Sequence, residues 1–232
     1  MGILEPRVEK AERQALSLMQ LERLQATVNR AYRYVKFYRD QFDRAGMLPE
    51  DIQSLSDLAR LPFTDRQDLL NNQPYGLFAV PLHDVVRLHP AAGAGGPVMV
   101  GYTRNDMRVW SNMAARALVS AGVTKEDVIQ ITLDYAVDAA ATGAQSGAEV
   151  LGASYIPCSG LSPERQVEVM CNYRATVLAA TPTQALQLGA PAHHINTGLI
   201  ALRVVFIAGE VWSDDLRREI EERLPAKACA SY

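Results

Sequence analysis

The sequence predicts an α/β protein: a helical N-terminal arm, then a layered and mostly parallel sheet. Three observations carry that prediction. Apolar residues recur at helical spacing through the first 45 positions. From about residue 85, short β-branched runs alternate with helical stretches of 10–15 residues, the signature of right-handed crossovers. Glycine, proline and Ser/Thr/Asp residues mark the element ends.

In the arm, Leu21, Leu24, Val28, Val35, Tyr38 and Phe42 recur near 3.6 residues, separated by Arg and Glu, and predict helix from residue 4 to about 45. Gly46 and Pro49 end it. "SLSDLARLP" reads as a short helix closed by Pro62. Thr64 with Gln67 predicts a capping box opening a helix in "TDRQDLLNN".

"DVVRLH" and "VMVGYT" read as strands flanking the glycine-rich stretch Ala91–Pro97. Thr103 with Asp106 predicts the cap of the next helix, whose apolar stripe is Met107, Trp110, Ala114, Ala117 and Leu118, stopped by Gly122. "DVIQITL" predicts a buried strand and "ATGAQSGAEVLG" a small-residue helix able to pack closely on a sheet. "ASYIP" predicts the next strand, and Ser162-Pro163-Glu164 an N-cap with proline at the first helical position. "ATVLAAT" and "LRVVFIAGE" follow as strands, "TQALQLG" and "SDDLRREIEERL" as helices, and "KACASY" begins another strand. The organisation expected is a helical arm over 1–80 and an α/β domain over 81–232.

The 232 residues carry 23 Lys and Arg against 26 Asp and Glu, a net charge of −3, with no basic face to suit nucleic acid. No run of 18 apolar residues predicts a membrane span. The charged N-terminus does not read as a signal peptide, and Pro6 stands where a myristoylation signal needs Ser or Thr. Cys158, Cys171 and Cys229 are odd in number and widely spaced, which predicts free thiols, a reducing compartment and a cytoplasmic location. His83, His89, His193 and His194 have no metal-site spacing, so no metal ligand is predicted; the His193-His194 pair reads as loop.

The stretch "LHPAAGAGGPVMVGYT" has the glycine density of a phosphate-binding loop but no lysine or hydroxyl between His89 and Tyr102. A dinucleotide motif must open a helix, whereas Pro97-Val-Met-Val continues as strand. A Walker loop needs Gly-Lys-Ser/Thr, which is absent. The residues themselves leave open a disabled phosphate loop or a plain turn.

"LPFTDRQDLLNNQPYGLFAVP", "VVRLHPAAGAGGPVMVGYTRND", "GAEVLGASYIPCSGLSPERQVEVM" and "FIAGEVWSDDLRREIEERL", taken in order, resemble the adenylate-forming ligases. Within them the match is to the phenylacetate–CoA ligase family and its coenzyme F390 synthetase-like relatives, from about residue 30 to the end. The resemblance implies the N-terminal portion of such a ligase: a helical arm and a flavodoxin-like layered sheet, without the C-terminal lid domain. It implies ATP, Mg and CoA as cofactors and a small aromatic or acyl carboxylic acid as substrate. The family loop reads His-Ala-Ser-Ser-Gly-Thr-Thr-Gly-Lys-Pro-Thr. His89, Gly93, Gly96 and Pro97 match it; the serines fall on Ala91 and Ala92, the threonines on Ala94 and Gly95, and the lysine has no counterpart. His89, Gly93, Gly95 and Gly96 are therefore the expected remnant of the nucleotide loop.

The resemblance also places Leu133–Asp138 beside the acyl or aryl substrate, with Tyr135 retained and Asp138 in place of an aromatic residue. Read alone, Asp134 and Asp138 are either acid/base groups or a solvated loop. Ala208-Gly209-Glu210-Val211-Trp212 resembles Gly-Ala-Glu-Pro-Trp, whose backbone borders the adenine; read alone, Glu210 and Trp212 are a helix-start charge and a packing aromatic. "ACASY" leads into the family's Tyr-Gly-Ser/Thr-Glu motif, with Tyr232 as its tyrosine. No catalytic residue is assigned. Two functions follow: an acid–CoA ligase relative with impaired adenylation, or a degenerate, non-catalytic ligand-binding or assembly module. A homodimer or other self-association is expected from an open sheet edge.

Overall fold

A computed structural model describes residues 2–91, 98–135, 139–192 and 200–230. The chain groups into two compact units, Pro6–Met107 and Met1–Glu5 with Arg108–Tyr232.

The first unit begins with α1 (Pro6–Glu9), α2 (Arg13–Tyr34) and α3 (Lys36–Arg44). The single helix expected to residue 45 is broken at Val35, whose backbone is extended (φ −116°, ψ 109°) while its side chain is buried. The break folds α3 back on α2. Phe42 then meets the ring of Tyr32 edge-on at 5.9 Å and joins Val28, Met47 and Ile52 in a small core. Arg39 donates from Nε to the Tyr32 carbonyl (3.0 Å) and from Nη2 to the Arg33 carbonyl, occupying the acceptors that α2 leaves open at its end.

"SLSDLAR" forms a 3₁₀ turn (Leu55–Arg60), and α4 spans Arg66–Asn71. The cap of α4 lies one residue beyond the expected Thr64. Asp65 Oδ1 accepts from the Asp68 N–H (2.8 Å), and Asp68 Oδ2 from the Asp65 N–H (3.0 Å). A carboxylate pair satisfies the same orphan donors as Thr/Gln and adds charge that favours a helix N-terminus. The unit's strands are β1 (Val85–Ala91) and β2 (Val98–Thr103), an antiparallel pair in which His89 faces Val100 and Ala91 faces Val98. Helix α5 (Arg104–Ser120) starts at the expected box: the Thr103 N–H donates to Asp106 Oδ2 (2.8 Å) and the Asp106 N–H to Thr103 Oγ1 (3.2 Å).

The second unit alternates β3 (Val128–Ile131), α6 (Ala139–Leu151), β4 (Ser154–Pro157), α7 (Pro163–Asn172), β5 (Val177–Ala180), α8 (Pro182–Ala192), β6 (Val204–Ile207), α9 (Asp214–Arg223) and β7 (Lys227–Ala230). The five strands are all parallel, in the order β4-β3-β5-β6-β7. That is the doubly wound, flavodoxin-like order, reversing direction at the β3/β5 boundary. Strand periodicity divides the core. Ile129, Ile131, Val177, Ala179, Val204 and Phe206 pack with Leu118 of α5 and Ala141, Ala144 and Ala148 of α6. Leu178, Ala180, Val205, Ile207 and Ala228 pack on the other face with Val167, Met170, Leu188 and Ile220 from α7, α8 and α9. The small residues of α6 also admit α5: a Cβ on Gly147 would stand 2.9 Å from the Ala114 carbonyl carbon.

One polar cluster anchors the amino ends of the strands. The buried Asp127 carboxylate accepts from the Thr124 N–H (2.7 Å), Thr176 Oγ1 (2.7 Å), Arg203 Nε (2.9 Å) and Arg203 Nη2. Burial alone would raise its pKa. The bonds from Arg203, Thr176 and Thr124 outweigh that effect and hold it at about 2.

Candidate functional site

Open α/β sheets present ligand crevices outside the carboxyl ends of their strands, at the point where strand order reverses. Here that region gathers the segments after β3, β5 and β6. Thr132 Oγ1 donates to the Ala179 carbonyl (3.1 Å), and Gln184 Nε2 to the Thr132 carbonyl (3.1 Å). Gln184 Oε1 accepts from the Thr181 N–H (3.0 Å). Glu210 Oε2 accepts from Thr183 Oγ1 (2.7 Å) and the Thr183 N–H (3.2 Å), tying the segment after β6 to the first turn of α8. Partial burial opposes ionisation of Glu210, but the bonds from Thr183 and Thr181 prevail and lower its pKa. At neutral pH it is a carboxylate committed to its threonine partners. Ala208 and Gly209 are thereby held at the end of β6, with Ala208 buried and Gly209 exposed.

The same unit contains a cavity of about 390 Å³. Its walls include Trp110 and Met113 of α5, Ala140 and Gly143 of α6, and Phe206, Ala208 and Gly209 at the end of β6. Gly143 leaves this space open: a Cβ there would lie 3.1 Å from the indole nitrogen of Trp110. The volume and apolar lining suit a small organic ligand. Sequence periodicity places Trp110, Ala114, Ala117 and Leu118 on one helix stripe; the structure gives that stripe a second role as cavity wall. Phe206 was legible only as part of a strand.

Tyr135 follows β3, and its hydroxyl is buried without a hydrogen-bond partner among the described residues. Burial, then the neighbouring Tyr155, Cys158 and Glu149, push its pKa up to about 12. It is a neutral phenol at physiological pH, able to donate. Tyr155 Oη bonds Glu149 Oε1 at 3.0 Å. Tyr135 is not among the residues lining the 390 Å³ cavity. Asp138 lies outside the described residues.

In the other unit, His89 sits on β1, 7% exposed, with Nδ1 3.2 Å from Arg87 Nη2. A guanidinium only donates, so Nδ1 is the acceptor in this contact and Nε2 is the ring's other polar atom. That Nε2 is buried with no partner among the described residues. Gly93, Gly95 and Gly96 lie outside the described residues, as do His193, His194 and Tyr232. The site residues inferred from sequence thus fall in both units: His89 in one, and Tyr135, Ala208, Gly209 and Glu210 in the other. Among the described residues no three His, Cys, Asp or Glu side chains are grouped as a metal site requires, and no helix is long and apolar enough to cross a membrane.

No family model matches the chain. Over its full length the chain is 40% identical to a phenylacetate-coenzyme A ligase of Pseudomonas putida, covering 53% of that protein. It is 39% identical, over 97% of its length, to the phenylacetate-coenzyme A ligase of Escherichia coli (strain K12), covering 52% of it. The chain therefore spans about half the length of the curated relatives it matches. Among solved structures, a 2-hydroxyisobutyryl-CoA ligase in complex with 2-HIB-AMP and CoA superposes with a TM-score of 0.89 at 27% identity, over 97% of this chain and 50% of that one. An anthranilate CoA ligase in complex with anthranoyl-AMP, at TM-score 0.53 and 17% identity over 75% of this chain and 36% of its own, shares the fold.

Proposed function

We propose that this chain, which fits the N-terminal portion of the phenylacetate–coenzyme A ligase family, binds a small carboxylic acid on a ligase scaffold whose ATP-dependent adenylation is impaired. The division into a helical arm (1–80) and an α/β domain (81–232) belongs to the same reading. The acid's apolar body occupies the cavity between Trp110, Gly143 and Phe206, and its carboxyl group points to the Ala208–Gly209 backbone, which the family resemblance sets beside the adenine. Tyr135, whose buried hydroxyl has no partner among the described residues, supplies a donor beside the strand ends.

One observation carries the impairment: between His89 and Tyr102 there is no hydroxyl, lysine or arginine. Backbone N–H groups can still form an anion nest. Adenylation nevertheless builds negative charge on the phosphates, and fixed donors must be aimed where it develops. Loss of two charge-assisted hydrogen bonds, at about 1.5–3 kcal/mol each, slows such a step by roughly 10²–10⁴-fold. Ala91, Ala92, Ala94 and Gly95 replace four donors, and the lysine is absent as well. The family implies Mg, and no step is routed through a metal here. ATP and CoA are ligands of this chain only as propositions to be measured.

A second reading, a non-catalytic ligand-binding module, is favoured by the cavity being built from residues other than the loop. Carboxylate-dependent ATP–pyrophosphate exchange with phenylacetate separates the two. Weak exchange that rises when Ala91→Ser, Ala92→Ser, Ala94→Thr and Gly95→Thr are combined with an inserted lysine supports an impaired ligase. Binding of the acid with no exchange in either chain supports the module. Exchange at ordinary enzymatic rates by the native chain defeats both.

A further inference from the structure

The carboxyl ends of β3, β5 and β6 lie side by side in the sheet, and one line of polar side chains crosses all three. Thr181 follows β5 and caps α8. The Gln184 N–H donates to Thr181 Oγ1 (3.2 Å), and the Thr181 N–H donates to Gln184 Oε1 (3.0 Å). Such a capping box accounts for a threonine and a side-chain acceptor three residues apart. Glutamate would serve the box as well as glutamine, because only the acceptor oxygen is used.

The amide nitrogen is what glutamate lacks, and here it reaches beyond the helix. Gln184 Nε2 donates to the Thr132 carbonyl (3.1 Å) just past β3, and Thr132 Oγ1 donates back to Gln184 Oε1 (3.3 Å). Thr132 is buried, and its N–H and hydroxyl both rest on the Ala179 carbonyl of β5 (2.9 and 3.1 Å). On the other side, the Glu210 carboxylate accepts from the Thr183 N–H (3.2 Å) and Thr183 Oγ1 (2.7 Å). Partial burial opposes ionisation of Glu210, and hydrogen bonds from Thr183 and then Thr181 overcome it, so Thr181 serves the box and the carboxylate together. Thr132, Gln184, Thr181 and Glu210 thus form one continuous chain of hydrogen bonds.

We propose that Gln184 is a positioning residue that couples the segment after β6 to the end of β3, so that a ligand resting on Ala208 and Gly209 also orders Thr132. Contiguous hydrogen bonds carry such coupling because each one holds the donor or acceptor of the next. Gln184 does not line the 390 Å³ cavity, so it acts through its neighbours. Only the place of the ligand rests on the functional reading above. The relay itself is tested in the ligand-free chain, so a failure to bind acid and a failure of coupling are told apart.

The test is heteronuclear NMR of the ligand-free full chain. Glu210 is exposed and Gln184 partly so, and neither substitution empties the core. Glu210→Ala should quicken exchange of the Gln184 side-chain amide hydrogens about twofold or more, the lower end of coupling through a contiguous network, and should move the Thr132 carbonyl carbon resonance. Gln184→Glu keeps the box, so the Thr181 amide should stay protected. It removes the donor to Thr132, and with it the response of Thr132 to Glu210→Ala. A residue that only caps α8 would leave the Thr132 carbonyl carbon in place in both variants. Gln184 exchange and the Thr132 carbon both unmoved by Glu210→Ala overturn the proposal, as does a Thr132 response that persists in the Gln184→Glu background.

Discussion

Replacing Asp127 by Asn tests the account of how the strand ends are held. The side chain is 4% exposed and receives five hydrogen bonds, two from Arg203 and two from Thr124. Its carboxyl is held at about 2 against an ordinary 3.8. At about 1.4 kcal/mol per tenfold change in proton affinity, the folded state gains about 2 kcal/mol from the charged form. Arg203 is 43% exposed and keeps a bond to the Gly122 carbonyl (2.9 Å), so the substitution does not strand a fully buried cation and the loss should stay near that figure. Asp127→Asn should therefore lower Tm by about 4–8 °C for a chain of this size, measured at pH 7. The sign of the pH effect follows from the depressed pKa. The contribution is complete above about pH 3.8 and vanishes as pH falls through about 2, so native and variant stabilities should converge across that window. Urea melts at pH 7 and at steps between pH 4 and 2 measure both effects. A change under 0.5 kcal/mol at pH 7, or curves that stay parallel down to pH 2, refutes the reasoning.

Three further outcomes are expected. Gly147→Val sets a side chain 2.9 Å from the α5 backbone and should destabilise the chain by about 1–3 kcal/mol in urea melts; a neutral result contradicts the close packing of α5 on α6. Gly143→Leu places atoms in the 390 Å³ cavity and should weaken phenylacetate binding at least tenfold in a titration, whereas unchanged affinity removes the acid from that cavity. Glu210→Ala frees the first turn of α8, so amide exchange at Thr183 should quicken at pH 7. Because Glu210 is held ionised, the native chain should lose protection at Thr183, measured against the intrinsic exchange rate at each pH, only as pH falls below the ordinary carboxylate range; no difference at Thr183 contradicts the Glu210–Thr183 clamp.

The sheet was legible because its signals are local. Val204–Ile207 and Val177–Ala180 are continuous apolar runs bounded by turn residues, as a strand covered on both faces requires. Ser162 and Thr103 announced their helices through side chains that reach only three residues. What stayed hidden depends on distance. Helical periodicity runs unbroken through Val35, and only the packing of Phe42 on Tyr32 and Val28 selects the break. The cap of α4 moved from Thr64 to Asp65 because both positions carry an acceptor and the sequence does not rank them. Trp110, Gly143 and Phe206 meet only once α5, α6 and β6 are stacked, so no spacing along the chain marks the cavity. Glu210 finds Thr183 only through the parallel pairing of β5 and β6.

Direct titration of ATP into the full chain, alongside the chain with serines, threonines and lysine restored between His89 and Tyr102, weighs most on the central claim. A stretch without lysine or hydroxyl donors predicts little or no heat from the native chain and clear binding after restoration. Micromolar binding of ATP by the native chain, matched by the restored one, contradicts it.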